Sequence, residues 1–134
     1  MAKHLNSQIG RALKTAREAA WFSKGRFATA AKCTRSTVAR VERGEGQLRS
    51  LNHLASVLGL ELRGRGLPTG PIGSRLKTLR QGRHLSVAKV ASMLKSSAPT
   101  IKRLERGGTT RLDVVEAYGA LLGIEFYLAP KRRP

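Results

Sequence analysis

Along the chain, apolar residues return every three or four positions with polar ones between them: Ile9, Leu13 and Ala16 in one stretch, Ile72, Leu76 and Leu79 in another. That spacing collects them on one helix face and predicts amphipathic helices over about 7–19 and 71–82. Ser23 and Ser86 stand where an N-cap hydroxyl would open a second, shorter helix carrying Phe27 and Ala28, or Val90 and Ala91. Thr34 and Ser97 open a third, and Pro99 falls in its first turn, where a missing N–H costs little. Gly44 and Gly107 close that helix. A fourth, over about 48–58 and 112–122, stops at Gly59 and Gly123. Beyond those glycines the period shortens to two in "LELR" (60–63) and "IEFYLA" (124–129), which predicts two strands.

The pattern occurs twice because the chain itself is written twice. "IGRALKTAREAAWFSKGRFATAAKCTRSTVARVERG" (9–44) lies over "IGSRLKTLRQGRHLSVAKVASMLKSSAPTIKRLERG" (72–107) without a gap. After one inserted residue, "LASVLGLEL" (54–62) lies over "YGALLGIEF" (118–126). This is an internal duplication. Between the copies "GRGLPTGP" (64–71) has the Gly and Pro content of a linker. The expected organisation is mainly α: a first domain over 1–63, the linker 64–71, a second domain over 72–129 and a basic tail over 130–134.

Charge changes the picture from a fold to a partner. Of 134 residues 26 are Lys or Arg and 8 are Asp or Glu, for a net charge of +18. The excess is not confined to a tail, since residues 1–65 carry thirteen bases against four acids and residues 66–134 carry the same. A polyanion, with nucleic acid first, is the expected partner. Hydrophobic residues make up 40% of the chain in periodic order, which predicts a folded scaffold for that charge. The single Cys33 allows no internal disulfide, and His4, His53 and His84 lack metal-ligand spacing, so neither metal nor cofactor is expected. No nucleophile–base arrangement or phosphate loop is legible, and an enzyme is not expected. The start, "MAKHLNSQIG", has no apolar stretch of the signal kind, and no run is long enough to span a bilayer. A cytoplasmic, nucleoid-associated protein with no membrane partner is expected.

The stretches "FSKGRFATAAKCTRSTVARVERG" and "LSVAKVASMLKSSAPTIKRLERG" resemble helix-turn-helix domains of the phage repressor and Cro type, the XRE family. The resemblance implies two lambda-repressor-like domains whose third helices lie in the major groove of double-stranded DNA. It places Arg35, Ser36, Ala39 and Arg40 against bases in the first copy, and Ala98, Pro99, Lys102 and Arg103 in the second. Arg40 and Arg103 are the leading specificity residues, since an Arg can bond guanine O6 and N7 together. Ser23, Lys24, Thr34 and Arg43, with Ser86, Ser97 and Arg106, are assigned to phosphates. Arg35 and Ser36 can donate hydrogen bonds to bases whereas Ala98 and Pro99 offer only apolar contact, so imperfectly repeated half-sites are expected. The resemblance also pairs Arg17 with Glu42 and Arg80 with Glu105 as structural ion pairs. Cys33 takes a position that is usually a Val, hence a small core residue. Trp21 and His84, in the turn before the second helix, are read as packing or backbone-contacting residues, and His53 as a surface or boundary residue.

Similar domains of the HipB antitoxin type carry a strand after the helices that pairs between subunits. Here "LELR" and "IEFYLA" take that place, so a monomeric pseudodimer with the two strands paired within one chain is expected, a homodimer or two beads on a linker being the alternatives. The functional expectation is a sequence-specific transcriptional regulator, most simply a repressor. A toxin-binding antitoxin that represses its own operon, and an architectural or accessory DNA-binding protein of a mobile element, are the competing readings. The basic segments "AKH" near the start and "KRRP" at the end are read as solvated tails in preference to DNA-touching arms.

Overall fold

The computed structural model describes residues 7–132. In chain order they form α1 (Gln8–Ala19), α2 (Lys24–Ala30), α3 (Arg35–Glu42), α4 (Leu48–Val57), β1 (Leu60–Arg65), α5 (Ile72–Gly82), α6 (Val87–Met93), α7 (Ala98–Glu105), α8 (Leu112–Leu121) and β2 (Glu125–Pro130). The second and third helices of each unit begin where the hydroxyl caps put them. Ser23 accepts from the Arg26 N–H, Thr34 from Thr37, Ser86 from Lys89 and Ser97 from Thr100, each satisfying a donor that the first helical turn leaves unpaired. Between α1 and α2 the chain turns through Trp21 at φ 64°, and between α2 and α3 through Lys32 at φ 57°. His84 and Lys95 repeat these left-handed conformations at φ 59° and 54° in the second copy, so the duplication extends to the backbone of the turns.

Each four-helix unit closes over apolar side chains with essentially no exposure: Ile9, Leu13, Phe27, Val38 and Leu51 in the first, Leu76, Val90, Ile101, Leu112 and Val115 in the second. Gly10 and Gly73 let the first helix of each unit approach the end of the third, because a Cβ at Gly10 would strike the Glu42 carbonyl and one at Gly73 the Leu104 carbonyl. Buried residues of both units belong to one continuous cluster, joined through Leu62, Ile124 and Phe126 of the strand region.

That junction is the two-stranded antiparallel sheet, in which Leu60 faces Pro130, Leu62 faces Leu128 and Arg65 faces Glu125. The central pair is Arg63 with Tyr127, which occupy the same place in the two copies. A second contact obeys the same rule. Gln47 bridges Arg111, again equivalent residues, and around them Leu48 N–H donates to Thr110 O while Leu112 N–H donates to Gly46 O, both at 2.8 Å. Two independent self-equivalent pairs define a pseudo-two-fold axis relating the units. α4 and α8 run between them, so the sheet lies one ten-residue helix, about 15 Å, from the Gln47–Arg111 bridge.

The expected pairing of the strands within one chain is therefore found, with altered bounds. β1 runs on to Arg65, so Gly64 and Arg65, expected in the linker, are paired with Phe126 and Glu125. β2 starts one residue later than expected and includes Pro130. Of the residues beyond it, Lys131 and Arg132 are exposed, and Lys131 N–H donates to Gly59 O at 3.0 Å and its Nζ to Ser56 Oγ at 2.5 Å. "AKH" near the start and residues 133–134 lie outside the described residues.

Candidate nucleic-acid interface

The face that could meet a duplex is built from α3 and α7 and the turns that precede them. In α3 the apolar Val38 and Val41 point into the core, which turns Arg35, Ser36 and Arg40 outward and leaves Thr37 and Ala39 half-buried. In α7 Ile101 and Leu104 are buried, Pro99, Lys102 and Arg103 are exposed, and Ala98 is half-buried. The eight residues assigned to bases thus occupy the outward sides of two symmetry-related helices. The acids on these helices are withdrawn from that face. Arg17 Nε donates to Glu42 Oε2 at 2.6 Å and its second nitrogen to Oε1 at 3.2 Å, while the third donates to Phe22 O at 2.7 Å. Arg80 repeats the fork on Glu105 at 2.7 and 3.0 Å, with Leu85 O at 2.8 Å. The Glu side chains are 5% and 4% exposed, and their hydrogen bonds hold both guanidinium groups above the ordinary Arg value. The structure brings both assigned pairs together, and what remains exposed on the helices is neutral or basic.

The residues assigned to phosphate divide into two kinds. Ser23, Thr34, Ser86 and Ser97 spend an oxygen lone pair on a capping N–H, and Thr34 and Ser97 also share their hydroxyls with Thr37 and Thr100 at 3.0 and 2.8 Å. Their first duty is structural. Lys24, Arg43 and Arg106 are exposed, with Arg43 in an open ion pair to Glu45 at 3.3 Å, a contact weak enough for a phosphate to displace.

Several contacts at the edges of this face have no signal in the sequence pattern. The Arg35 side chain lies over Gly25, Cδ 3.6 Å from where a Cβ there would stand, tying the start of α3 to the start of α2. His53 Nε2 lies 2.6 Å from Ala31 O, so this ring nitrogen is the protonated one and pins α4 to the end of α2. Tyr118 O–H donates to Glu105 Oε2 at 2.5 Å. Burial first, and the Glu105 carboxylate second, push its phenol well above the ordinary value. The expectation that a buried Tyr hydroxyl needs an acceptor is the one rule that could have pointed there. Across the unit boundary Glu116 accepts from Ser7 Oγ at 2.8 Å and from the Ile9 N–H at 3.0 Å, and Gln8 Oε1 accepts from the Phe126 N–H at 3.1 Å. The first helix of one unit is thereby capped by the fourth helix of the other.

Two expectations about lone residues separate. Cys33 is half-buried against the core, and burial pushes its thiol up, as suits a small packing residue. Trp21 is not a packing residue: it is 88% exposed, held outward by its left-handed backbone. No helix among the described residues is long and apolar enough to cross a membrane.

A family model described as a helix-turn-helix domain matches residues 8–65 and, separately, 71–125. Comparison with curated proteins and with solved structures gives no match.

Proposed function

Since the chain belongs to the helix-turn-helix domain family over most of its length and binds DNA through two such domains, we propose that it is a sequence-specific transcriptional regulator, acting as a repressor, that reads two related half-sites with α3 and α7 of a single chain. The observation that carries this reading is the pseudo-two-fold axis through Gln47–Arg111 and Arg63–Tyr127, which sets two basic recognition helices in the symmetry relation that a dimeric repressor obtains from two subunits. The chain is then a monomeric pseudodimer acting in the cytoplasm at the nucleoid, with occupancy of a promoter as its mechanism and no catalytic step. Arg35, Ser36 and Arg40 read one half-site through hydrogen bonds. Lys102 and Arg103 read the other, where Ala98 and Pro99 favour apolar contact with a thymine methyl. Lys24, Arg43 and Arg106 neutralise flanking phosphates.

Selection from random duplexes at fixed, near-physiological salt tests this reading. Two unequal half-sites about one turn apart are expected. Equal affinity for selected and random duplexes would instead identify an architectural protein.

The paired strands favour one further reading, because the sheet occupies the place that HipB-type antitoxins use for their own strands. In that case the same DNA face represses an operon that encodes a toxin, and a stoichiometric protein would copurify with the chain and leave on denaturation. Recovery of the chain alone, with full operator binding, argues for the repressor reading.

A further inference from the structure

One large apolar side chain is unaccounted for by fold or by recognition helix. Trp21 is 88% exposed, against 48% for Met93 and 38% for Tyr127, the other exposed large hydrophobic residues among the described residues. It is held there by a backbone conformation that bulky side chains rarely adopt, φ 64°, with its N–H donating to Glu18 O at the end of α1. The neighbouring Phe22 behaves in the opposite way and packs on Phe27 with ring centroids 5.5 Å apart. The turn therefore sorts two adjacent aromatics, one inward and one outward.

Trp21 lies in the turn three residues ahead of the first residue of α2, and the first turn of α2 is the surface over which Arg35, the first residue of α3, is laid. The Trp21 turn thus leads into the end of α2 that the start of the recognition helix touches, and Lys24 and Arg26 in that first turn are exposed. The acid closest in sequence, Glu18, is exposed, with its carboxylate 3.9 Å from the Arg17 guanidinium. An apolar ring beside that basic surface matches a duplex edge, where deoxyribose faces alternate with phosphates.

We propose that Trp21 is a DNA-contacting residue outside the recognition helix, its indole packing on the sugar-phosphate backbone that flanks the first half-site. The second copy puts His84 at this position, exposed and with the same left-handed φ of 59°, so the apolar anchor exists on one side of the pseudodimer only. This inference rests on the DNA-binding reading above and adds a residue to it.

The chain holds one tryptophan, so emission excited selectively from the indole and not from the two tyrosines reports on residue 21 alone. Adding a duplex recovered by the selection should shield the indole from acrylamide quenching, with a random duplex as control. Trp21→Ala should keep the circular dichroism and melting of the parent, as befits an exposed side chain, yet bind the labelled duplex about tenfold more weakly at the same salt. Trp21→Phe should retain most of the affinity, since packing and not the indole N–H carries the contact. If the labelled duplex binds the parent while the tryptophan stays open to quencher, or if Trp21→Ala binds as tightly as the parent, the Trp21 contact is overturned and the DNA-binding reading stands. Failure of the parent to bind any duplex overturns both.

Discussion

Arg17 with Glu42 and Arg80 with Glu105 are buried guanidinium–carboxylate forks, and removing one partner leaves a charge in the interior without its counter-ion. Glu42→Gln and Glu105→Gln are each expected to cost about 3–5 kcal/mol in urea unfolding. Glu105→Gln should lie toward the upper end, because Tyr118 also loses its charged acceptor. Tyr118 supplies a pH signature as well. Its phenol is harder to ionise folded than unfolded, so its contribution is complete below the unfolded value, about 10, and is lost as pH rises beyond it. Stability should fall from about pH 10 upward, and Tyr118→Phe should shallow that fall. At the DNA face, Arg40→Ala and Arg103→Ala should each relax preference at a different base by about 1–3 kcal/mol, read by competition with single-base variants. A uniform loss across all variants would reassign both residues to phosphate. The two forks were legible through the family resemblance, which pairs the Glu before the closing Gly with the Arg at the end of the first helix in both copies. Tyr118 was not, because its counterpart is Leu54, and no local pattern shows which acceptor lies across the core from a hydroxyl.

Elements begin where single side chains start them and end where the backbone can turn. The four hydroxyl caps were readable as residues followed by helical periodicity, and all four accept the backbone donor that a cap should. The strand bounds were not readable, for a steric reason. Gly64 looks like linker composition, yet it is buried and paired with Phe126, and a Cβ there would stand 2.6 Å from Ile124 Cγ2. A glycine that marks flexibility in one context marks close approach in another, and only the partner strand distinguishes them. Gly73 makes the same point within a helix. Gly73→Ala is expected to destabilise by about 1–3 kcal/mol despite the better helix propensity of Ala, because the Leu104 carbonyl must give way. A melting temperature at or above the parent's would show that α5 can lift away from α7 without penalty. The left-handed turn at Trp21 escaped the sequence reading because a bulky non-glycine residue rarely adopts that conformation.

The two units act as one body because the sheet, the Gln47–Arg111 bridge and the Glu116 cap all cross between them. A spacer between half-sites should therefore tolerate little change. Lengthening a selected operator by half a turn, about 5 base pairs, should reduce affinity at least tenfold, to the level of one half-site, whereas beads on a flexible linker would keep both contacts. The duplication announced this symmetry, but not that α1 would be capped from the other unit, since Ser7 and Glu116 lie far apart in sequence and have no repeated counterpart pair. The pairing of β1 with β2 also has a consequence in time. Leu60 meets Pro130, so the first unit leaves the ribosome with a strand that has no neighbour until nearly the whole second unit has been made. Its helices rest on local contacts and can fold on emergence, but the sheet is a long-range closure and comes last. Until then β1 is an open edge beside identical nascent chains on the same message, and the charged Glu61, Arg63 and Arg65 along it blunt that edge against pairing.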